Sequence, residues 1–414
     1  MTDRYGGERR AQLLGLCAAL TGCGTGGAAV PQYTDDVDSL RAMGGMGGMG
    51  PVEPPPDEPR PLPESPRLPE VPPPIDVCPQ DNCPVDGGVS FRCRSRFVYG
   101  VNWAWNRFGT DFGGLARGES KGISGDPLRY SAVMSDMKAH GVNVIRWWMF
   151  PDFRGDAVVF DENGVPSGLG ESVLEDISAA LELAQIHDVY LMLVLFSFDG
   201  FKPSFFEGPF MTPIVLDPTL REALVENVVR PVAAHVEASE HKIRLHSWDL
   251  INEPEWAMIG DSLYGDADYL ESDTGTEPIS HGEMEQFLAE VNTVLRQESS
   301  AQISVGTTLK WPHSWSGLDL DFHQLHYYPW LEPHYPLDVT PTDLGLGDKP
   351  VVLGEFPLAD EYADGSKYTY AELLDLLWEN GWAGALGWDW NQATTANKQS
   401  VRTFAENYPC ETAY

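Results

Sequence analysis

Basic residues are scarce in this 414-residue sequence. Lys and Arg number 27 against 62 Asp and Glu, which gives a formal net charge of −35. Nucleic acids and anionic lipid head groups are bound through basic patches, so neither is an expected partner. Hydrophobic residues make up 42% and aromatic residues 11% of the chain, which is enough to bury the core of one large globular domain.

The first 95 residues lack the composition of a folded domain. Arginines precede an apolar run at 11–20, which is too short to span a bilayer as a mature helix but is typical of a signal peptide. The sequence Leu20-Thr21-Gly22-Cys23 resembles a bacterial lipobox, and an ordinary secretory signal is the alternative. We therefore predict a signal peptide over 1–22, lipidation of Cys23, and an exported protein that is membrane-anchored or extracellular. Residues 23–95 are rich in Gly, Met and Pro and are predicted to be a tether.

From residue 96 onward, short apolar runs alternate with amphipathic stretches, as in parallel strands joined by helices. A doubly wound sheet would show the same alternation. Candidate functional groups, however, lie at the C-terminal ends of many strands, which favours a (β/α)8 TIM barrel over 96–414. The predicted strands are 97–103, 142–148, 190–196, 243–251, 303–309, 318–327, 350–356 and 383–390, and the predicted helices are 129–139, 172–186, 220–238, 284–298 and 370–378.

Cysteines are few. Two of the six, Cys17 and Cys23, lie in the signal region, which leaves Cys78, Cys83, Cys93 and Cys410. In an oxidising compartment these four form two disulfides, with three possible connectivities. Barrel closure would bring a residue just before the first strand close to the C-terminus, so we predict Cys93–Cys410 together with Cys78–Cys83. The spacings match no zinc template, and no metal site is predicted.

Two predicted strands each end in a glutamate. One lies in Trp248-Asp249-Leu250-Ile251-Asn252-Glu253-Pro254 and the other in Val351-Val352-Leu353-Gly354-Glu355-Phe356. Because the C-terminal ends of barrel strands meet on one face, we expect both carboxyl groups to converge there. Two convergent carboxyl groups are the minimum apparatus for cleaving a glycosidic bond.

The order of these motifs, Asn-Glu-Pro first and Gly-Glu-Phe later, resembles the retaining glycoside hydrolases of clan A, above all family five (GH5). The resemblance implies that Glu253 is the acid/base and Glu355 the nucleophile. It further implies double-displacement hydrolysis of a β-linked polysaccharide or oligosaccharide of the β-mannan or β-glucan type. That chemistry needs only carboxylates and water, so no cofactor is expected, and we expect a monomer.

The same resemblance assigns five supporting residues. Arg146 would keep the nucleophile ionised, and Asn252 would bind the sugar 2-hydroxyl. Tyr328 would orient the nucleophile, His326 would line the cleft, and Trp388 would carry the sugar on its indole ring. Further candidates for cleft walls are Trp103, Trp147, Trp148, Trp256, Trp311 and Trp330.

One feature departs from the family pattern. Family-five enzymes usually carry a histidine near the end of the third strand, which here reads Phe196-Ser197-Phe198-Asp199. The departure leaves the glutamate pair intact but weakens a cellulase-type assignment. Two alternatives to hydrolysis stay open: a non-catalytic carbohydrate-binding surface lipoprotein, and a transglycosylase that uses the same glutamates.

Overall fold

The computed structural model describes residues 67–73, 81–115, 121–202, 211–270, 275–331 and 336–414. Within them, eight parallel strands close into a barrel, which confirms the predicted (β/α)8 fold. The signal segment, Cys23, Cys78 and most of the tether lie outside the described residues. None of the helices described is both long and apolar enough to cross a membrane.

Strands and helices are numbered in chain order. The barrel strands are β3 (Val98–Asn102), β4 (Val144–Trp148), β7 (Tyr190–Ser197), β8 (Leu245–Asn252), β9 (Gln302–Thr308), β10 (His323–His326), β11 (Val351–Pro357) and β12 (Gly384–Trp388). Two antiparallel hairpins pair β1 (Val89–Phe91) with β2 (Arg94–Arg96), and β5 (Val158–Phe160) with β6 (Pro166–Leu169). The helices are α1 (Pro127–Ala139), α2 (Val173–Ile186), α3 (Met211–Leu216), α4 (Pro218–Leu224), α5 (Arg230–Ala238), α6 (His281–Glu298), α7 (Tyr370–Glu379) and α8 (Thr395–Asn407).

Most barrel elements lie where the apolar patterning predicts them. The barrel strands are buried along almost their whole length, which explains their continuous apolar runs. The helix predicted at 220–238 consists of α4 and α5 joined by a π-helical turn at Val225–Val229. The strand predicted at 318–327 is shorter, because turns and bends precede β10. Helices α3 and α8 and both hairpins were not predicted.

The N-terminal ends of the barrel strands are covered by hairpin β1–β2 and the C-terminal tail, and we call this region the barrel floor. The ring of Phe91 lies 5.4 Å from Tyr190, 4.8 Å from His246 and 5.2 Å from Tyr414, measured between centroids. The folded body therefore extends further toward the N-terminus than the predicted boundary at residue 96.

Both predicted disulfides, Cys93–Cys410 and Cys78–Cys83, are wrong. Cys410 bonds to Cys83, with a Cα–Cα distance of 6.2 Å. Arg96 explains this pairing, because its guanidinium donates both to the Cys83 carbonyl and to the Ala413 carbonyl of the tail. Cys93 lies in the exposed turn of the hairpin, away from that position, and is itself disulfide-bonded.

Candidate active site

Glu253 follows β8 in a strained backbone conformation. Its φ of 46° and ψ of 51° lie in the left-handed region, which is costly for a residue with a side chain. The Glu253 amide donates to the Gly306 carbonyl at 2.6 Å, which holds this conformation in place. Pro254 then begins a short 3-10 turn that ends at Ala257.

The carboxyl group of Glu253 is almost completely enclosed, with 4% of the residue exposed. It accepts a hydrogen bond from the indole N–H of Trp256 at 2.8 Å, and its other oxygen lies 3.1 Å from Nδ1 of His326. Burial raises the pKa of Glu253 to about 7. The group therefore keeps its proton up to near-neutral pH, as a general acid must.

Glu355, within β11, lies in a different environment. Arg146 donates to its Oε1 at 2.6 Å, and the Tyr328 hydroxyl donates to its Oε2 at 2.8 Å. Burial raises the pKa of Glu355, but the guanidinium and the phenol both oppose that rise by favouring the carboxylate. Glu355 is therefore the glutamate better suited to act in its ionised form.

The two carboxyl groups face one another. One oxygen of each glutamate and one ring nitrogen of His326 all lie within 4.8 Å of one another. This spacing is compatible with the roughly 5–5.5 Å of retaining glycosidases and is shorter than the roughly 6.5–9.5 Å that leaves room for water in inverting ones.

Arg146, on β4, is the centre of a buried polar network. Its guanidinium donates to Asp249 and to Asn102 at 2.9 Å, and to Asn252 at 2.8 Å, in addition to Glu355. Two carboxylates thus share one fully buried cation, which fixes the guanidinium in a single orientation.

Three members of this network were missed by the sequence analysis. The Asp249 carboxylate accepts hydrogen bonds from Arg146 and from the Gln324 amide, the latter at 2.6 Å. Asn102 accepts a hydrogen bond from Arg146 and donates one to the Gly354 carbonyl. For Asp249 and Asn102, the signal was a polar residue in a largely apolar, fully buried strand. Such a residue must find a buried partner.

His326 lies between the glutamates. Its Nδ1 is 3.1 Å from Glu253 and 3.5 Å from Glu355. Burial lowers the pKa of His326 to about 4, so the ring is neutral at neutral pH. These three residues offer the atoms of a metal site, but the buried guanidinium at 2.6 Å from Glu355 would repel a cation there.

The predicted cleft aromatics separate into two groups. Alternation along β4 points Trp148 inward with Arg146, where its ring lies 5.6 Å from that of Trp388. Trp147 points outward. There it packs on Trp103 and on Tyr130 of α1, so neither Trp103 nor Trp147 belongs to the cleft.

On the Glu253 side, Trp256 and Trp330 pack with ring centroids 5.8 Å apart. Trp311 packs against Tyr269, and the Lys310 ammonium covers one of its faces, so it offers no sugar platform. Trp105 was not predicted. Its ring centroid lies 5.4 Å from that of Trp148 and 4.8 Å from that of the exposed Phe108.

Asp199 lies just beyond the third barrel strand, near the position where family-five enzymes, which the sequence resembles, usually carry a histidine. Its carboxylate accepts from Lys202 at 2.6 Å and from Ser197 at 2.9 Å. The negative charge of Asp199 adds to the effect of burial in raising the pKa of Glu253.

No family model matches the sequence, but individual relatives do. The chain is 24% identical over 340 residues to a mannan endo-1,4-β-mannosidase of Mytilus edulis, which covers 74% of this chain and 86% of the relative. It is 25% identical over 337 residues to the Cryptopygus antarcticus enzyme of the same name, with 71% and 80% covered.

Solved structures show the same fold. The β-mannanase from the blue mussel Mytilus edulis aligns with a TM-score of 0.62 at 21% identity, covering 77% of this chain and 96% of that one. The endo-1,4-β-mannanase from Eisenia fetida aligns with a TM-score of 0.64 at 21% identity, covering 77% and 93%. The chain thus shares the barrel of these mannanases over nearly their full length, in agreement with the predicted glycoside hydrolase.

Proposed function

We propose that this protein is a retaining glycoside hydrolase that cleaves β-1,4-linked mannan at internal positions. The observation that carries the proposal is the pair of enclosed glutamates, Glu253 and Glu355, with one oxygen of each within 4.8 Å of the other. Similarity to two mannan endo-1,4-β-mannosidases over more than 70% of the chain supports the choice of substrate.

In the first step, a carboxylate oxygen of Glu355 attacks the anomeric carbon. The bond to the leaving-group oxygen breaks, and Glu253 transfers its proton to that oxygen. Arg146 and Tyr328 hold Glu355 in position and favour its ionised form before attack. Asn252 accepts a hydrogen bond from Arg146, and its side chain would bind the sugar 2-hydroxyl.

In the second step, Glu253, now ionised, removes a proton from a water molecule. The resulting oxygen attacks the anomeric carbon from the face that the leaving sugar has vacated, and Glu355 is released as a carboxylate. Two inversions give net retention of the β-configuration. Burial raises the proton affinity of the ionised Glu253, and this favours its role as a base.

The test is hydrolysis of mannan, glucomannan and β-glucan by the purified protein, with the anomer of the first product followed by proton NMR. We expect cleavage of mannan with the β-anomer formed first, and no activity in Glu355→Ala. An α-anomer would refute the retaining mechanism, and cleavage of β-glucan alone would refute the substrate. Sugar binding without turnover would favour the non-catalytic alternative, and transfer to an added oligosaccharide would identify a transglycosylase.

We also propose that the protein is exported and that Cys23 carries a lipid anchor. The disulfide between Cys83 and Cys410 supports an oxidising compartment. Metabolic labelling with a fatty acid tests the anchor. Label in the wild type that persists in Cys23→Ser would contradict lipidation at this residue.

A further inference from the structure

Lys310 is a partly buried cation for which the described residues supply no acidic partner. It lies two residues beyond the end of β9, on the face of the barrel that holds Glu253 and Glu355. The structure describes no ion pair and no hydrogen-bond acceptor for its ammonium group. By contrast, Lys202 and Arg154, which follow barrel strands β7 and β4, pair with Asp199 and Asp152 at 2.6 Å.

The ammonium of Lys310 is held by aromatic rings. It lies 4.1 Å from the ring centroid of Trp311 and 6.0 Å from that of Trp256. Cation–π attraction offsets part of the cost of its desolvation, and burial lowers the pKa of Lys310. Neither ring accepts a conventional hydrogen bond, so the three N–H donors of the ammonium lack acceptors in the described structure.

Aromatic rings surround the Lys310 ammonium, whereas carboxylates meet the charges of Lys202 and Arg154. Donors that are partly removed from water and have no protein acceptor point to an acceptor supplied by a ligand.

The position of Lys310 indicates which part of a ligand it would meet. The indole N–H of Trp256 donates to Glu253 at 2.8 Å, and the Lys310 ammonium lies over the ring of that same residue. In retaining hydrolysis the general acid stands beside the leaving-group oxygen. The sugar that departs first therefore lies on the side of Glu253, Trp256 and Lys310.

We propose that Lys310 is a specificity-determining residue for the leaving-group sugar, to whose hydroxyl oxygens its ammonium donates hydrogen bonds. This inference rests on the proposed function and names one residue that recognises the part of the substrate beyond the scissile bond. Trp311 acts beneath it as the support that holds the ammonium in place, not as a sugar platform.

The experiment compares two substrates. In β-1,4-mannopentaose the leaving group is a sugar, whereas in 2,4-dinitrophenyl β-mannobioside it is a phenolate that needs no sugar contact. Lys310→Met keeps the length of the side chain and removes the charge. We expect the ratio of kcat/KM for mannopentaose to kcat/KM for the aryl substrate to fall about tenfold, mainly through KM, as for loss of one hydrogen bond to a charged group. Lys310→Arg should restore part of the ratio.

Lys349→Met is the matched control. Lys349 is also a partly exposed lysine without a described acidic partner, but it precedes β11 on the floor side, and its loss should leave the ratio unchanged. An unchanged ratio in Lys310→Met, or the same change in Lys349→Met, would overturn the inference. Failure of the wild type to cleave either substrate would instead remove the proposed function, and the inference with it.

Discussion

Replacing Glu253 with glutamine should stabilise the folded protein at neutral pH while it abolishes hydrolysis. Burial raises the pKa of Glu253 from 4.5 to about 7. Between these two pH values the folded state keeps a proton that the unfolded chain has already released. The free energy of unfolding therefore falls as pH rises through this window, and the loss is complete above about pH 7.

The size of the effect follows from the shift. Each pKa unit corresponds to about 1.4 kcal/mol, so the ionised Glu253 costs about 3 kcal/mol of stability above pH 7. The amide of glutamine directs its NH2 group either toward the indole N–H of Trp256 or toward Nδ1 of His326. Because Nε2 of His326 has no partner in the described structure, the ring can change tautomer and accept at Nδ1, which limits this penalty to about 1 kcal/mol.

The net gain expected for Glu253→Gln is about 2 kcal/mol above pH 7, or roughly 4 °C in Tm for a domain of this size. Below about pH 4.5 Glu253 is protonated in both folded and unfolded states, so only the amide penalty remains and the variant should be about 1 kcal/mol less stable than the wild type. Thermal unfolding of the wild type and the variant at pH 4, 6 and 8 measures this difference.

Glu355→Gln is the matched control, because it makes the same chemical change at a carboxyl group that a buried guanidinium contacts. Removing the Glu355 carboxylate leaves the fully buried Arg146 with one carboxylate partner, Asp249, instead of two. Loss of a buried ion-pair partner is destabilising, here by about 2–3 kcal/mol. Equal shifts of the same sign in both variants, or a gain for Glu253→Gln that does not grow with pH, would refute the reasoning.

Other variants test the remaining contacts. The basic limb of the pH profile of kcat/KM should lie near pH 7. Trp256→Phe should move this limb to higher pH, because the indole hydrogen bond lowers the pKa of Glu253. A limb at the same pH in the variant would contradict this role of Trp256. Asp249→Asn should lower kcat by about 100-fold or more by releasing Arg146, with little change in the circular dichroism spectrum. Cys83→Ser should lower the free energy of unfolding by about 2–4 kcal/mol in denaturant titrations and leave kcat unchanged, because the Cys83–Cys410 bond lies on the barrel floor.

The fold and the centre of the site were predictable from sequence because both depend on local patterns. Fully buried parallel strands give continuous apolar runs, and barrel topology places Glu253 and Glu355 at the ends of two of them on one face. The roles that the family resemblance assigns to these residues stay predictions, although the structure brings Arg146, Asn252, His326 and Tyr328 into contact around the pair.

What sequence reasoning missed depends on contacts between distant residues. In the sequence, Asp249 is a single acidic residue within an apolar strand. Only the closed barrel shows that Arg146 and Gln324 donate hydrogen bonds to it. The disulfide prediction failed for a related reason. A short hairpin reverses the chain between Cys83 and Arg96, so proximity in sequence to the first barrel strand did not give proximity in space to Cys410.

The floor has a practical consequence for handling the protein. The hairpin that leads into the barrel and the last residue, Tyr414, both pack at the end opposite the glutamates. A bead or fusion partner coupled through the C-terminus would therefore leave the mouth of the barrel unobstructed for a long polymer. Because the Tyr414 ring packs against His246 and Tyr190, such coupling calls for a spacer that does not pull this ring out of place.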